Sequence, residues 1–287
     1  MQYTSGKDWL NAENKQVMLF AMSGLGKTYI SNMLRSSGDW FHYSVDYRIG
    51  TRYMGEHIVD NFKREAMKTP FLADLLRSDS IYIGSNITFE NLAPLSTYLG
   101  KPGNPDQGGI PFEEYLKRQD QHRGAEIASL LDTAHFVARS KEIYGYQNFI
   151  GDSGGSICEV VDPHDENDPV LKSLSENMLL VWIEGSDDHT EELIRRFDKA
   201  PKPMYYQPDI LKSSWNEYLN DNRISAEDVN PDEFIRWAYR RAVSHRQPQY
   251  RAMAQNWGVT VSADDVAKLR NESDFNQLIA QALDARM

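Results

Sequence analysis

The 287-residue chain has one cysteine, Cys158. A single thiol excludes an internal disulfide framework and a cysteine-based zinc site, and it fits a reducing compartment. No apolar run approaches the roughly 20 residues needed to cross a bilayer. The opening residues, MQYTSGKDWLNAENK, lack the hydrophobic core of a signal peptide. A cytoplasmic protein with no membrane contact is the expectation. Bases are also scarce, with 31 Lys and Arg against 42 Asp and Glu for a net charge of −11. A general binder of nucleic acid needs basic surface to neutralise phosphates, so no nucleic-acid partner is expected. The histidines show no His-x-x-x-His spacing, and no structural metal is expected.

What the sequence does contain is an alternation of short apolar runs with helical patterns. Residues 15–21 form a first strand, 40–46 (WFHYSVD) a second, 146–150 a third, 178–183 (MLLVWI) a fourth and 258–262 (GVTVS) a last one. Helical spacing covers residues 56–67, 70–77, 113–140, 189–197, 231–245 and 266–283. Such alternation implies an α/β fold built on a parallel sheet. Residues 53–115 interrupt it as a mainly helical inserted cap with a loop, KPGNPDQGG. Pro201, Pro203 and Pro208 break the chain into a loop that opens a polar, turn-rich lid over 205–228. One domain spanning 1–287 accommodates all of these segments.

Residues 21–28, AMSGLGKT, fit the Walker A pattern with alanine in place of the first glycine. Glycines at 24 and 26 let backbone amides turn inward toward phosphate oxygens, and the helix that follows adds its N-terminal dipole. Lys27 is placed to reach the β and γ phosphates and Thr28 to ligate magnesium. Ser23, Gly24, Leu25, Gly26, Lys27, Thr28 and Tyr29 are therefore the candidate ATP-binding segment. The preceding strand and following helix supply the context the motif requires.

With that loop in place, the rest of the chain resembles the shikimate kinase family of P-loop small-molecule kinases. The resemblance implies a three-layer P-loop kinase fold, with a mostly parallel five-stranded sheet flanked by helices, plus the helical insertion and an enlarged lid. YSVDYRIGTR resembles the family's Asp-x-Asp strand end, which puts Asp46 on the acid that contacts the acceptor hydroxyl; Ser44 stands where the other acid is expected. Asp46 is also read as closing the strand beside the phosphate strand, at the crevice where open parallel sheets bind ligands. HRGAE, residues 122–126, is similar to the family's Phe-Arg-x-x-Glu helix start and implies that Arg123 holds a substrate carboxylate. DSGGSI resembles the glycine-rich turn after the third strand, with Gly154 and Gly155 near the substrate. Arg195 or Arg196 falls near an arginine that packs on adenine. Lys202-Pro203-Met204 stands in place of Arg-Pro-Leu, so that Lys202 supplies the lid cation to the transferring phosphoryl group. RQPQYRAMA is similar to the family's Arg-x-Pro-x-Tyr helix, and it makes Arg246 a second carboxylate ligand.

The resulting expectation is transfer of the γ-phosphoryl group of ATP, with Mg²⁺, to a hydroxyl of a small, polar, carboxylate-bearing metabolite. Lys27, Asp46 and Lys202 would be the catalytic set. The competing reading is a nucleotide-binding protein or ATPase with weak or no kinase activity, whose insertion takes a protein partner. A kinase of nucleosides or nucleic-acid ends is disfavoured by the acidic balance. GDSGG also occurs around the nucleophile of trypsin-like proteases, but those are all-β, and His135 here lies only 18 residues before Ser153 on an expected helix. The acidic run at 162–168 lacks the EF-hand glycine and terminal glutamate and is expected to be a solvated loop. Residues 151–192 hold twelve acids against one lysine, so the acidic excess of the chain is concentrated there.

Overall fold

The computed structural model describes residues 2–286 and divides into two compact units. The first comprises residues up to 45, Ile127–Ala200 and those from Arg236 onward; the second comprises Asp46–Glu126 and Pro201–Ile235.

The first unit is built on five strands, β1 (Gln16–Phe20), β2 (Trp40–Ser44), β3 (Asn148–Asp152), β4 (Leu179–Glu184) and β5 (Gly258–Ser262). They form one sheet in the order β2-β3-β1-β4-β5, with every neighbouring pair parallel. A parallel sheet is covered on both faces, so its central strands can be apolar throughout. β1 is buried at all positions, and β4 at all but its last. Trp182, on β4, is core.

Strand order fixes where the connections run. The chain leaves β1 in one direction to reach β2, whereas the steps from β2 to β3, β3 to β4 and β4 to β5 all go the other way. The right-handed rule for parallel crossovers then puts the helix Lys27–Ser37 on one face and the helices leading into β3, β4 and β5 on the other. The loop after β1 thus departs toward one face while those after its neighbours β3 and β4 depart toward the opposite one. A ligand crevice opens where adjacent connections diverge in this way.

The observed elements differ from the expected ones in instructive places. β2 ends at Ser44, and Asp46 lies in a short helix, Val45–Arg48. The strand next to β1 on that side is β3, not β2, so the acid that closes the strand beside β1 is Asp152 and not Asp46. An unexpected N-terminal helix, Gly6–Asn11, is capped by Ser5 and buries Trp9 edge-on against Tyr3 and Phe275. The acidic run is not wholly solvated. Asp168 is buried and caps an unexpected helix, Pro169–Asn177, by accepting the amides of Val170 and Leu171.

The second unit contains the helices Gly55–Ala66, Pro70–Arg77 and Ala93–Leu99. Gln119 joins its two chain segments, donating to the Met204 carbonyl at 3.0 Å and accepting the Tyr206 amide at 2.9 Å. Phe112 stacks on Trp215 at 4.4 Å between ring centres, and Phe234 meets Trp215 edge-on. The lid segment is not turn-rich: residues Pro208–Asn222 form a helix. Pro208 occupies its first turn, where its missing N–H costs nothing, and the Gln207 side chain caps the Ile210 amide. Among the described residues, no helix is long and apolar enough to cross a membrane.

Candidate functional site

The loop after β1 is shaped around its backbone. Gly24 and Gly26 have φ of 92° and 99°, a left-handed region that L side chains rarely adopt. A Cβ at position 26 would also lie 2.8 Å from Val266 Cγ1. Between them Leu25 is buried and anchors the loop, leaving Ser23 and Gly24 exposed. Gly26 is the N-cap of the helix Lys27–Ser37, and no side chain caps that end. Its first N–H groups and the positive end of its dipole therefore favour an anion. The Lys27 ammonium folds back over the loop, donating to the carbonyls of Ala21 at 2.7 Å and Met22 at 3.2 Å. Thr28 is exposed, and Tyr29 donates its hydroxyl to the Leu269 carbonyl at 2.7 Å.

A residue the sequence reading did not single out closes the neighbouring strand. Asp152 ends β3 and is in register with Leu19 of β1 on one side and Ser44 of β2 on the other. The next amide, Ser153 N, donates to the Leu19 carbonyl at 3.0 Å, so the strand end is fixed against β1. Asp152 is largely buried, and its Oδ2 lies 3.0 Å from His42 Nε2. The signal available in sequence was an apolar strand ending in an acid, FIGD. Adjacency to β1 is what gives that acid meaning, and only the sheet order reveals it.

The turn after β3 packs on the loop. A Cβ at Gly155 would lie 3.5 Å from Ser23 N and 3.7 Å from the Ala21 carbonyl oxygen, while Gly154 is buried beside it. Arg246 holds this turn, donating to the Gly155 carbonyl at 2.9 Å, and Tyr250 donates to the same oxygen. Arg246 also pairs with Glu159 at 2.6 Å, both side chains being almost fully buried. Burial alone would lower the Arg246 pKa, but the Glu159 carboxylate, with Tyr250 and Cys158 adding to it, outweighs this and raises it. The guanidinium expected to take a substrate carboxylate thus already holds one from its own chain. Glu159, its partner, had no signal in the local sequence.

Arg195 and Arg196 lie on the helix Asp187–Lys199, whose Leu193 sits 3.0 Å from where a Cβ on Gly24 would be. Both arginines reach the Glu192 carboxylate at 2.7 Å and are well exposed. Their hydrogen bond and charges, Arg196 first, hold the Glu192 pKa below its usual value.

In the second unit, Asp46 is in the first turn of the helix Val45–Arg48. Arg123 is exposed in the middle of the helix Phe112–Glu142, rather than at a helix start. Lys202 is exposed on the wall of a cavity of about 790 Å³ that Lys101, Gln107 and Asp232 also line. Lys101 is neutralised there by Asp232 at 2.5 Å.

The sheet order and the loop after β1 together make this an α/β fold with a parallel five-stranded sheet, whose central strand runs through a glycine loop into a helix. No family model matches the chain. No curated protein matches it in sequence. Among solved structures, it is similar to a shikimate kinase from Bacteroides thetaiotaomicron, at 13% sequence identity and a TM-score of 0.39, over 94% of this chain and 95% of that one.

Proposed function

We propose that this protein is a small-molecule kinase that takes the γ-phosphoryl group of ATP, bound with Mg²⁺, to a hydroxyl of a polar metabolite. The observation that carries this reading is the uncapped helix N-terminus at Gly26, with Lys27 folded over a glycine loop at the carboxyl end of β1. Those residues fit a triphosphate. The loop amides and Lys27 would hold its oxygens, Lys27 exchanging loop carbonyls for phosphate. Thr28 and Asp152 would supply the oxygen ligands, direct or through water, that a magnesium ion takes. When bound, the ion would neutralise charge on the phosphates.

Asp46 is proposed to orient or deprotonate the acceptor hydroxyl, Arg123 to bind the acceptor, and Lys202 to supply positive charge to the phosphoryl group. Gly154 and Gly155 bring bare backbone to the same task, and Arg195 or Arg196 would meet the adenine. With Arg246 already matched by Glu159, the expectation of a carboxylate on the acceptor rests on Arg123.

Incubation with ATP, Mg²⁺ and a panel of hydroxy acids, sugars and nucleosides, followed by mass identification of the product, tests this directly. One class of acceptor should gain a phosphoryl group, and Lys27→Ala and Asp46→Asn should each lower that turnover at least about 100-fold. Unchanged turnover in Asp46→Asn would remove it from the chemistry.

The second reading, a nucleotide-binding protein with little or no transfer activity, is favoured by the exposed Phe71 and Tyr82 of the inserted segment, at 71% and 93% of their surface. Such residues suit a protein partner. ATP binding without turnover of any acceptor would decide for it.

A further inference from the structure

We propose that His42 is a positioning residue for Asp152, setting the carboxylate that serves the Mg²⁺ side of the phosphate site. The inference rests on the nucleotide reading above. His42 stands opposite Ile150 and Ser44 opposite Asp152 in the parallel register of β2 and β3. Residues two apart on a strand share a face, so His42 and Asp152 are diagonal neighbours on one face of the sheet. Their side chains meet at 3.0 Å with 3% and 12% of their surface exposed.

A carboxylate accepts hydrogen bonds only, so the proton of this bond is on Nε2 and the bond runs from His42 to Asp152 Oδ2. The bond does two things. It supplies a hydrogen-bond partner to a largely buried carboxylate, a group that is costly to bury without one. It also fixes one oxygen of the carboxylate, while Oδ1 makes no hydrogen bond to any described residue. An acid held by one oxygen with the other left over is prepared for a ligand, and the imidazole behind it orients it. Serine at position 44 strengthens the assignment: with no acid at the end of β2, Asp152 has no carboxylate beside it in the ladder, and His42 occupies the flank instead. A group that acts behind a ligand in this way typically changes ion affinity about 10- to 100-fold on removal.

Calorimetric titration with ATP, with and without Mg²⁺, tests the proposal in the wild type and in Asp152→Asn, His42→Ala and His42→Gln. In the wild type Mg²⁺ should tighten ATP binding, and Asp152→Asn should abolish most of that gain. His42→Ala should reduce the gain about tenfold while leaving affinity for free ATP within about twofold. His42→Gln, which keeps an N–H donor, should restore part of it. A His42→Ala protein that keeps the full Mg²⁺ gain while Asp152→Asn loses it overturns the proposal. So does an equal loss with and without Mg²⁺, which would make His42 purely structural. If His42→Ala does not fold, His42→Leu, which fills the space and has no donor, replaces it, and a full Mg²⁺ gain in that variant overturns the proposal equally. Failure of the wild type to bind ATP at all would instead strike the nucleotide reading itself, and this inference with it.

Discussion

Glu159 and Arg246 illustrate what a single side chain owes to its surroundings. Each is buried, and removing either would take from the other its closest opposite charge. Glu159→Leu should therefore destabilise the fold by about 3–5 kcal/mol, as Arg246→Met should, while the double variant Glu159→Leu/Arg246→Met recovers most of the loss. Chemical denaturation of the four proteins checks this, and simply additive losses would show that the two charges do not depend on each other. The pair also marks the limit of what the sequence told. Lys27 and Thr28 stand out in the sequence because the pattern that singles them out is local. Arg246 was found by resemblance, but its partner lies 87 residues earlier and no local pattern announces it. Asp152 has no local pattern for a related reason, since its place beside β1 follows from the order of strands in the sheet.

At the scale of elements, the loop after β1 depends most on conformation. Gly26→Ala would put a Cβ in the left-handed region at a cost of about 1–2 kcal/mol, and would drive it against Val266 Cγ1, 2.8 Å away. Reduced thermal stability together with loss of ATP binding is the expected outcome, measured by melting with and without nucleotide. Wild-type affinity in Gly26→Ala would mean that the loop does not bind phosphate through its backbone. Elements were legible where their own residues suffice. β4, β5 and the helix Pro70–Arg77 fall where their apolar spacing and flanking turns place them. Those missed depend on partners or on position. The short helix Gly6–Asn11 exists because Trp9 packs on Phe275 and the Gly6 amide donates to Asp284 at 2.7 Å. The helix Pro208–Asn222 was hidden by a proline read as a stop, although at the first turn proline is a start.

For the molecule as a whole, charge and burial set the response to pH. Of the twelve acids in residues 151–192, Asp152, Glu159 and Asp168 are buried and engaged by His42, Arg246 and backbone amides. The acidic run therefore serves the interior as well as the surface. Tyrosines respond at the other end of the pH scale. Burial, opposed by the bond from Gln16 and aided by the charge of Asp8, raises the Tyr3 pKa to about 12 from 10.0. Burial likewise raises those of Tyr115 and Tyr250. Below pH 10 the folded and unfolded chains both keep these protons, so the groups make stability neither rise nor fall. Above it the unfolded chain releases protons that the folded chain retains, and stability falls as pH climbs. The net charge of −11 adds in the same direction, because each new tyrosinate joins an already negative chain. Melting temperature should thus begin to fall near pH 10 and keep falling to about pH 12. Tyr3→Phe should be less stable than the wild type at pH 8 by about 1–2 kcal/mol, because Tyr3 bonds both the Asn14 carbonyl and the Gln16 amide. Its decline above pH 10 should be shallower, so the gap between the two proteins narrows with rising pH. Parallel curves from pH 9 to 12 would show that Tyr3 ionises alike in the folded and unfolded chains.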